Sequence, residues 1–444
     1  MPRLFALVDC ANFYVSCERL FDPSLRRRPV VVLSNNDGCV IARSEEARRL
    51  GVPMGAPFFQ WRRALAREGV AVLSSNYTLY ADLSRRVMET LETLAPDVEP
   101  YSIDEAFLVV QAADPAAAER FAHRVRRRVY RWTGIPVRVA LAETKTLAKA
   151  GCAWAKGHER AGGAPAVCFW RHPEREAYLA GLPVEEVWGI AARWGRRLRA
   201  LDAPTAAAFA ALPDRAIRRG LSVVALRTAY ELRGTSCIPL DHAPPTRKSL
   251  VRSRSFGHAL AGEVAFPLLR EALATHAARA AEKLRAEGLV AGVLQAFATT
   301  KGHGRGPHRH GAATVTLARP TNRTPALITA AGACLARLFE AAAPDGRPYR
   351  YKKAGVMLTA LGPAEGVQDD LFLPPETPAE ARSSAALLAA VDRLNRRFGG
   401  RTVVYGAMGV GARNGEAPAW AMARRRMSPC VPTRWDALPA AQAD

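Results

Sequence analysis

Residues 4–18 read LFALVDCANFYVSCE, and their first half is the firmest structural signal in the chain. Leu4 to Val8 is an unbroken apolar run of strand length that delivers an acid, Asp9, at its end. So continuous a run suits a strand buried on both faces. The same texture recurs at residues 29–33, PVVVL, before the turn-forming Ser34-Asn35-Asn36-Asp37-Gly38. In residues 44–50, SEEARRL, a capping serine precedes acids in the first turn, and Gly51-Val52-Pro53 stops the pattern. A short helix is expected there. Around residue 104, VEPYSIDEAFLVV alternates and then runs apolar, predicting two strand arms with Asp104 and Glu105 between or within them. A basic helix over residues 116–132, a strand over 136–141 and a helix from 146 towards 156 follow. Strands interleaved with helices indicate an α/β or α+β domain over roughly the first 163 residues.

Residues 165–236 read as mainly helical, broken by Pro183, Gly189, Pro204, Pro213 and Gly220. Residues 241–248, with Pro244-Pro245, have the composition of a linker. Strand-like VRSRSFG, a helix over 266–287, strand-like LVAGVLQAFAT and AATVTLA, a helix over 325–341 and strand-like KAGVMLTAL then make a second mixed domain. Beyond Gly362 the chain is Ala-, Pro- and Arg-rich, with one helical segment near 380–398. This tail has the composition of a segment ordered on a partner.

At 444 residues the chain exceeds what one core serves, so two to four domains are expected. Lys and Arg number 63 against 41 Asp and Glu, a formal charge of +22 that attracts polyanions by counterion release. Abundant arginine and alanine also follow from base composition, so charge alone decides nothing. The eight cysteines form no Cys-x-x-Cys pair and no zinc-spaced cluster, and read as reduced, mostly buried residues. No run of about 18 apolar residues suggests a membrane span, and the N-terminal apolar segment ends in an acid rather than a cleavage site. A cytoplasmic location is expected.

Asp9 at the end of a buried strand, with Asp104 and Glu105 at a strand junction, provides three carboxylates able to converge on divalent cations. Oxygen ligands that keep open positions suit Mg²⁺ shared with substrate phosphates. Taken alone, an Asp-Glu pair is far more often a solvated turn or a salt-bridged pair than a metal site. The wording around the acids adds context: LFALVDCANFYVSCE at 4–18, VVLSNNDGCVIARSEEARRLGVPMG at 31–55, YSIDEAF at 101–107 and ETKTLAKAGCAWAK at 143–156.

In this order and spacing the segments resemble the Y-family translesion DNA polymerases, in the type that includes UmuC, the catalytic subunit of bacterial DNA polymerase V. The resemblance extends over nearly the whole chain. It implies a multidomain α+β right hand: a ferredoxin-like palm (1–12 and 75–163), small fingers (13–74), a helical thumb (164–240), an α/β little finger (245–361) and a C-terminal tail (362–444). By the same resemblance, Asp9, Asp104 and Glu105, with the Cys10 backbone carbonyl, would hold two Mg²⁺ ions. Phe13 and Tyr14 would lie under the incoming nucleotide, with Tyr14 as the steric gate that leaves no room for a 2′-hydroxyl, the group that distinguishes ribose. Arg48 and Lys156 would hold the triphosphate. Ile41, Ala42 and Gly55 would pack over the nascent base pair. Glu45 departs from members that place an aromatic phosphate contact there.

VEEVWGIAARWGRRLRALDA at 184–203 resembles a helix-hairpin-helix, whose turn offers backbone N–H groups to a DNA phosphate. Gly189 keeps the first glycine and Ala191 replaces the second. Arg252, Arg254, Lys352 and Lys353 read either as phosphate contacts or as solvated charges, and KGHGRGPHRH at 301–310 as a flexible basic loop. Gln368-Asp369-Asp370-Leu371-Phe372 resembles a sliding-clamp motif, with Leu371 and Phe372 as apolar anchors and Gln368 as a polar latch. The end of the chain, with Trp420, Met422, Arg424 and Trp435, resembles the UmuC tail, which implies a UmuD′-like accessory subunit and RecA as partners.

The function so implied is error-prone synthesis on primer-template DNA from deoxynucleoside triphosphates, in the SOS response, in a bacterial cytoplasm and on the nucleoid when active. One alternative is a catalytically silent family member that recruits another polymerase; the retained carboxylates and Tyr14 weigh against it. Another is a nucleotide cyclase with a related palm, for which the thumb, little finger and clamp motif would serve no purpose.

Overall fold

A computed structural model describes residues 1–160, 166–241, 246–300, 306–365, 378–399, 402–409, 418 and 420–433. The chain divides into two compact units, one of residues 1–34, 38–244 and 426–444, the other of residues 35–37 and 245–425. Mixed sheets and helices in separate units match the expected multidomain α+β class.

In the first unit the strands are β1 (Arg3–Cys10), β2 (Val30–Leu33), β3 (Val40–Arg43) and β4 (Ala71–Ser74), then β5 (Val98–Pro100), β6 (Glu105–Gln111), β7 (Val137–Ala142) and β8 (Ala166–Cys168). Five of them form a sheet in the order β5-β6-β1-β7-β8, and β3-β2-β4 form a second. Central β1 runs antiparallel to both β6 and β7. Its apolar run is continuous because both faces are covered. Leu4, Ala6 and Val8 pack with Phe13, Leu79, Leu83 and Val125 on one side. Phe5 and Leu7 pack with Leu147, Ala148, Ala155 and Phe209 on the other. Burying each large side chain contributes about 1.5–3 kcal/mol, so the most apolar stretch of sequence becomes the middle of the sheet.

The helical stretch after residue 174 is built of Arg175–Gly181, Ala192–Arg199, Ala206–Ala211, Asp214–Gly220 and Val223–Leu232. It shares its apolar cluster with the Phe5 and Leu7 face of the sheet rather than having a core of its own. The sheet also extends past the boundary expected at 164, because β8 pairs in parallel with β7. Three residues of Ala-Val-Cys are too short a signal to be read as a strand. The joint is locked by Glu231, which is fully buried and accepts hydrogen bonds from the N–H groups of Thr146 (3.0 Å), Cys237 (2.7 Å) and Ile238 (3.1 Å).

The second unit holds β9 (Leu250–Leu260), β10 (Leu289–Thr300), β11 (His310–Thr321) and β12 (Tyr351–Pro363) in the antiparallel order β11-β10-β12-β9. Helices Ala265–Ala286 and Thr324–Leu338 pack on it through Leu269, Leu273, Leu284, Leu327 and Leu335. The tail helix expected near 380–398 spans Pro378–Phe398 and is tied to this unit by a bidentate pair between Arg285 and Asp392 at 2.7 and 2.8 Å. Among the described residues no helix is long and apolar enough to cross a membrane.

Candidate active site

Strand register brings the acids together. On β1, Asp9 stands opposite Glu105 of β6 and opposite Arg138 of β7, so the three side chains form one row across the sheet. One residue on, the Cys10 N–H donates to the Asp104 carbonyl at 2.8 Å, which sets Asp104 at the mouth of the same strand pair. The Ser102 hydroxyl shapes that turn: it contacts the Asp104 carboxylate at 2.6 Å and accepts from the Asp104 and Glu105 N–H groups at 3.3 and 3.1 Å.

Each of the two acids in the row has a cation. Arg138 reaches Asp9 at 3.1 Å and Lys149 reaches Glu105 at 2.8 Å. Burial pushes the Asp9 pKa up to about 6; Arg138 and Lys156 pull it down, while Glu105 and Asp104 add to the rise. The Lys149 ammonium also lies over the Tyr101 ring, 4.4 Å from its centroid. Among the described residues no three acid, histidine or cysteine side chains are gathered as a ready-made metal cage. The donor set nevertheless fits hard divalent ions: three carboxylates and a backbone carbonyl at adjacent strand ends beside an open cleft, with two carboxylates needing only to exchange a cationic partner.

The cleft has a volume of about 650 Å³, and Asp9, Cys10, Tyr14, Ile41, Arg48 and Lys156 are among the residues that line it. A sharp strand-to-helix switch builds its floor. Asn12 takes a left-handed backbone (φ +46°) and starts the helix Phe13–Phe21 directly after β1, and Ser16 closes the turn with a 2.6 Å bond to the Ala11 carbonyl. Phe13 is buried in the core and Tyr14 is half-buried, and both contribute to the lining of the cleft. Ile41 and Ala42 line it from β3. Gly55 stands outside the lining, with Met54 beside it in the wall. The N–H of Gly55 bonds the Val40 carbonyl at 2.8 Å, and its φ of +77°, not lack of space, is what favours glycine.

Arg48 lies on the short helix Glu45–Arg49, capped by Ser44 as expected. It is engaged by Glu45 through two contacts, Nε to Oε2 being 2.8 Å. Lys156 comes from the helix Lys145–Arg160 and is exposed. A cation pair therefore flanks the cleft, one member of it already neutralised by an acid.

Other expected contacts fall elsewhere. Gly189 has φ +86°, as the tight turn requires, and Ala191 is the extended N-cap residue of helix Ala192–Arg199, a backbone that any residue adopts. On β9, Arg254 and Arg252 stand opposite Ala354 and Val356, whose side chains belong to the helix-covered core. They therefore project on that face of an edge strand. Lys353, opposite Ser255, lies on the other face above Phe297, and Lys352 donates to the Gly257 carbonyl at 2.9 Å. The four basic residues are thus not one patch. Gln368, Leu371 and Phe372 lie outside the described residues, as does most of the 301–310 loop's basic start. Sequence reading missed Arg138 and Lys149, because a cation becomes part of a site only through cross-strand register and helix packing.

Comparison with known proteins identifies the family. The impB/mucB/samB family model matches residues 8–153 and its C-terminal domain matches residues 247–371. The chain belongs to the impB/mucB/samB family, the UmuC-type Y-family DNA polymerases. It is similar to Protein ImpB of Salmonella typhimurium, with 40% identity over 99% of this chain and 100% of that one. Protein UmuC of Salmonella typhimurium (strain LT2) is 39% identical over 98% of this chain and 99% of its own length. A Y-family DNA polymerase chimera, Dbh-Dpo4(243-245)-Dbh, superposes with a TM-score of 0.62 at 18% identity, covering 80% of this chain and 98% of the chimera, a likeness of fold. In this family member a further model, described as a domain of unknown function, matches residues 385–441.

Proposed function

We propose that this Y-family polymerase carries out template-directed nucleotidyl transfer by a two-metal mechanism, in which a primer 3′-hydroxyl attacks the α-phosphate of a deoxynucleoside triphosphate and pyrophosphate leaves. The observation that carries the reading is the row formed by Asp9, Glu105 and Arg138 with Asp104 at its mouth, opening onto the cleft that Tyr14, Arg48 and Lys156 line. Asp9, Asp104, Glu105 and the Cys10 carbonyl would hold two Mg²⁺ ions. When bound, such ions supply Lewis-acid activation of the hydroxyl and charge stabilisation at the leaving oxygens.

The chain's own residues do the rest. Arg48 and Lys156 grip the triphosphate as fixed cations, and Tyr14 excludes a 2′-hydroxyl. Ile41 and Ala42, both small or slender, pack over a base pair without demanding regular shape, which suits a damaged template. The relatives named UmuC and ImpB support a role in translesion synthesis during the SOS response, on the bacterial nucleoid, with a UmuD′-like subunit, RecA and the sliding clamp as partners, the last through Gln368, Leu371 and Phe372.

The test is primer extension on undamaged and abasic templates with Mg²⁺ and deoxynucleotides, comparing the wild type with Asp104→Ala/Glu105→Ala, alone and with clamp, accessory subunit and RecA filament. Extension abolished by the double substitution is the expected result. No extension by the wild type under every condition would sink the catalytic reading in favour of a silent recruiting scaffold.

A further inference from the structure

The segment after Arg425 belongs to the same unit as the cleft, and the described part of it makes a set of polar contacts on one side of that unit. The Ser74 N–H donates to the Arg426 carbonyl at 2.9 Å, and the Arg426 N–H donates back to the Ser74 hydroxyl at 3.0 Å, so the segment joins the end of β4. The Arg426 guanidinium lies over the Phe58 ring, 5.0 Å from its centroid. Two residues on comes half-buried Ser428. The Asn76 side-chain amide donates to both its carbonyl (3.1 Å) and its hydroxyl oxygen (3.0 Å).

Asn76 leads to Tyr14 through the helix that it caps, and a second buried contact supports the same ring. Glu18, only 2% exposed, accepts a 2.6 Å bond from the hydroxyl of fully buried Tyr80. The Tyr80 ring is stacked on Tyr14, with centroids 4.3 Å apart and planes 14° from parallel. Asn76 caps the helix Tyr77–Glu92 by accepting from the Leu79 N–H at 3.3 Å. That helix carries Tyr80 and also Tyr77, whose ring meets Tyr14 edge-on with centroids 6.1 Å apart. The gate residue therefore rests against two rings of one helix, and Ser428 holds the Asn76 cap of that helix.

We propose that the C-terminal segment around Arg426–Cys430 is a positioning element of the sugar gate, with Ser428 setting the place of the Tyr14 ring through Asn76 and the helix Tyr77–Glu92 that carries Tyr77 and Tyr80. The proposal rests on Tyr14 being the steric gate. It gives part of the region matched as a domain of unknown function a role in choosing deoxyribonucleotides over ribonucleotides.

The experiment is single-nucleotide insertion of dCTP and CTP opposite a template dG by the full chain, under the conditions that support extension, for the wild type, Ser428→Ala, Ser428→Thr, Tyr80→Phe and Tyr14→Ala. The reading is the ratio of kcat/KM for CTP to that for dCTP. Ser428→Ala and Tyr80→Phe should each raise it about fivefold, the factor that one hydrogen bond supports. In Ser428→Ala the dCTP value should stay within about twofold of wild type, and Ser428→Thr, which keeps a hydroxyl, should restore the ratio. With Tyr14→Ala already present, Ser428→Ala should add nothing. A wild-type ratio in Ser428→Ala and Tyr80→Phe while Tyr14→Ala raises it would overturn the proposal and leave the gate standing. An unchanged ratio in Tyr14→Ala would remove the gate itself, and the proposal with it.

Discussion

Replacing Glu45 by glutamine should tighten the binding of the incoming nucleotide. In the structure Arg48 is held by Glu45, with the two side chains 26% and 36% exposed, so the cation is spoken for before a triphosphate arrives. An ion pair this exposed contributes about 0.2–1 kcal/mol, which a triphosphate must give up to take Arg48 for itself. Glu45 also repels the phosphates: at about 6 Å in a water-like medium each pair of unit charges is worth roughly 0.7 kcal/mol. Together the two effects amount to about 1.5 kcal/mol, a roughly tenfold lower KM for the nucleotide. The assay is the nucleotide concentration dependence of single insertions at low and high salt. KM should fall with kcat little changed, and the gain should shrink as salt screens it. Arg48→Gln should raise KM, and in that background Glu45→Gln should gain less, since the freed cation is missing. A KM that rises in Glu45→Gln would refute the reasoning, because it would mean that the acid orients Arg48 for the phosphates instead of competing with them.

Glu231→Ala should strip one buried and two part-buried N–H groups of their acceptor and cost about 3 kcal/mol of stability, read as a lower urea midpoint; a shift worth under 1 kcal/mol would mean water replaces the carboxylate. His276 is buried with an unpartnered Nε2, and burial, with Arg254 and Arg252 nearby, pushes its pKa down to about 4. The folded pKa lies below the unfolded value of about 6.5, so the unfolded chain takes up the proton first and stability is lost as pH falls from about 6.5 to 4, by about 3 kcal/mol in all. His276→Leu should remove that slope, and an equal acid sensitivity in the variant would exclude this histidine as its source. Leu371→Ala/Phe372→Ala should reduce the stimulation of synthesis by the clamp, and an equal proportional loss without clamp would count against docking there.

What could be read in advance was whatever the chain writes locally. The apolar run before Asp9, the Ser44 cap with its two acids and the alternation into Glu105 each announce an element from neighbours in sequence, and each lies where expected. β8 was hidden because three residues that pair only with distant β7 carry no periodicity. The cations of the site were hidden for a related reason. Arg138 alternates with apolar residues in VRVALA as any half-exposed strand residue would, and only the register of β7 on β1 places it against Asp9. The basic residues of β9 and β12 show the opposite failure. Arg252 and Lys353 look equivalent in sequence, yet antiparallel pairing puts them on opposite faces of one sheet.

The same register constrains how the site can be tested. Asp9 shares its face of β1 with Phe5 and Leu7, a face that the helix Lys145–Arg160 covers, so its carboxylate is partly desolvated by the packing that stabilises the sheet. Arg138, with 7% of its side chain exposed, offsets that burial. Neutralising Asp9 therefore removes an acid partner of a buried arginine, which costs stability. Asp104 stands apart from this trade: its side chain is held by the Ser102 hydroxyl at the turn. Loss of activity in an Asp9 variant would mix chemistry with unfolding, whereas loss in Asp104→Ala reports on the carboxylate itself.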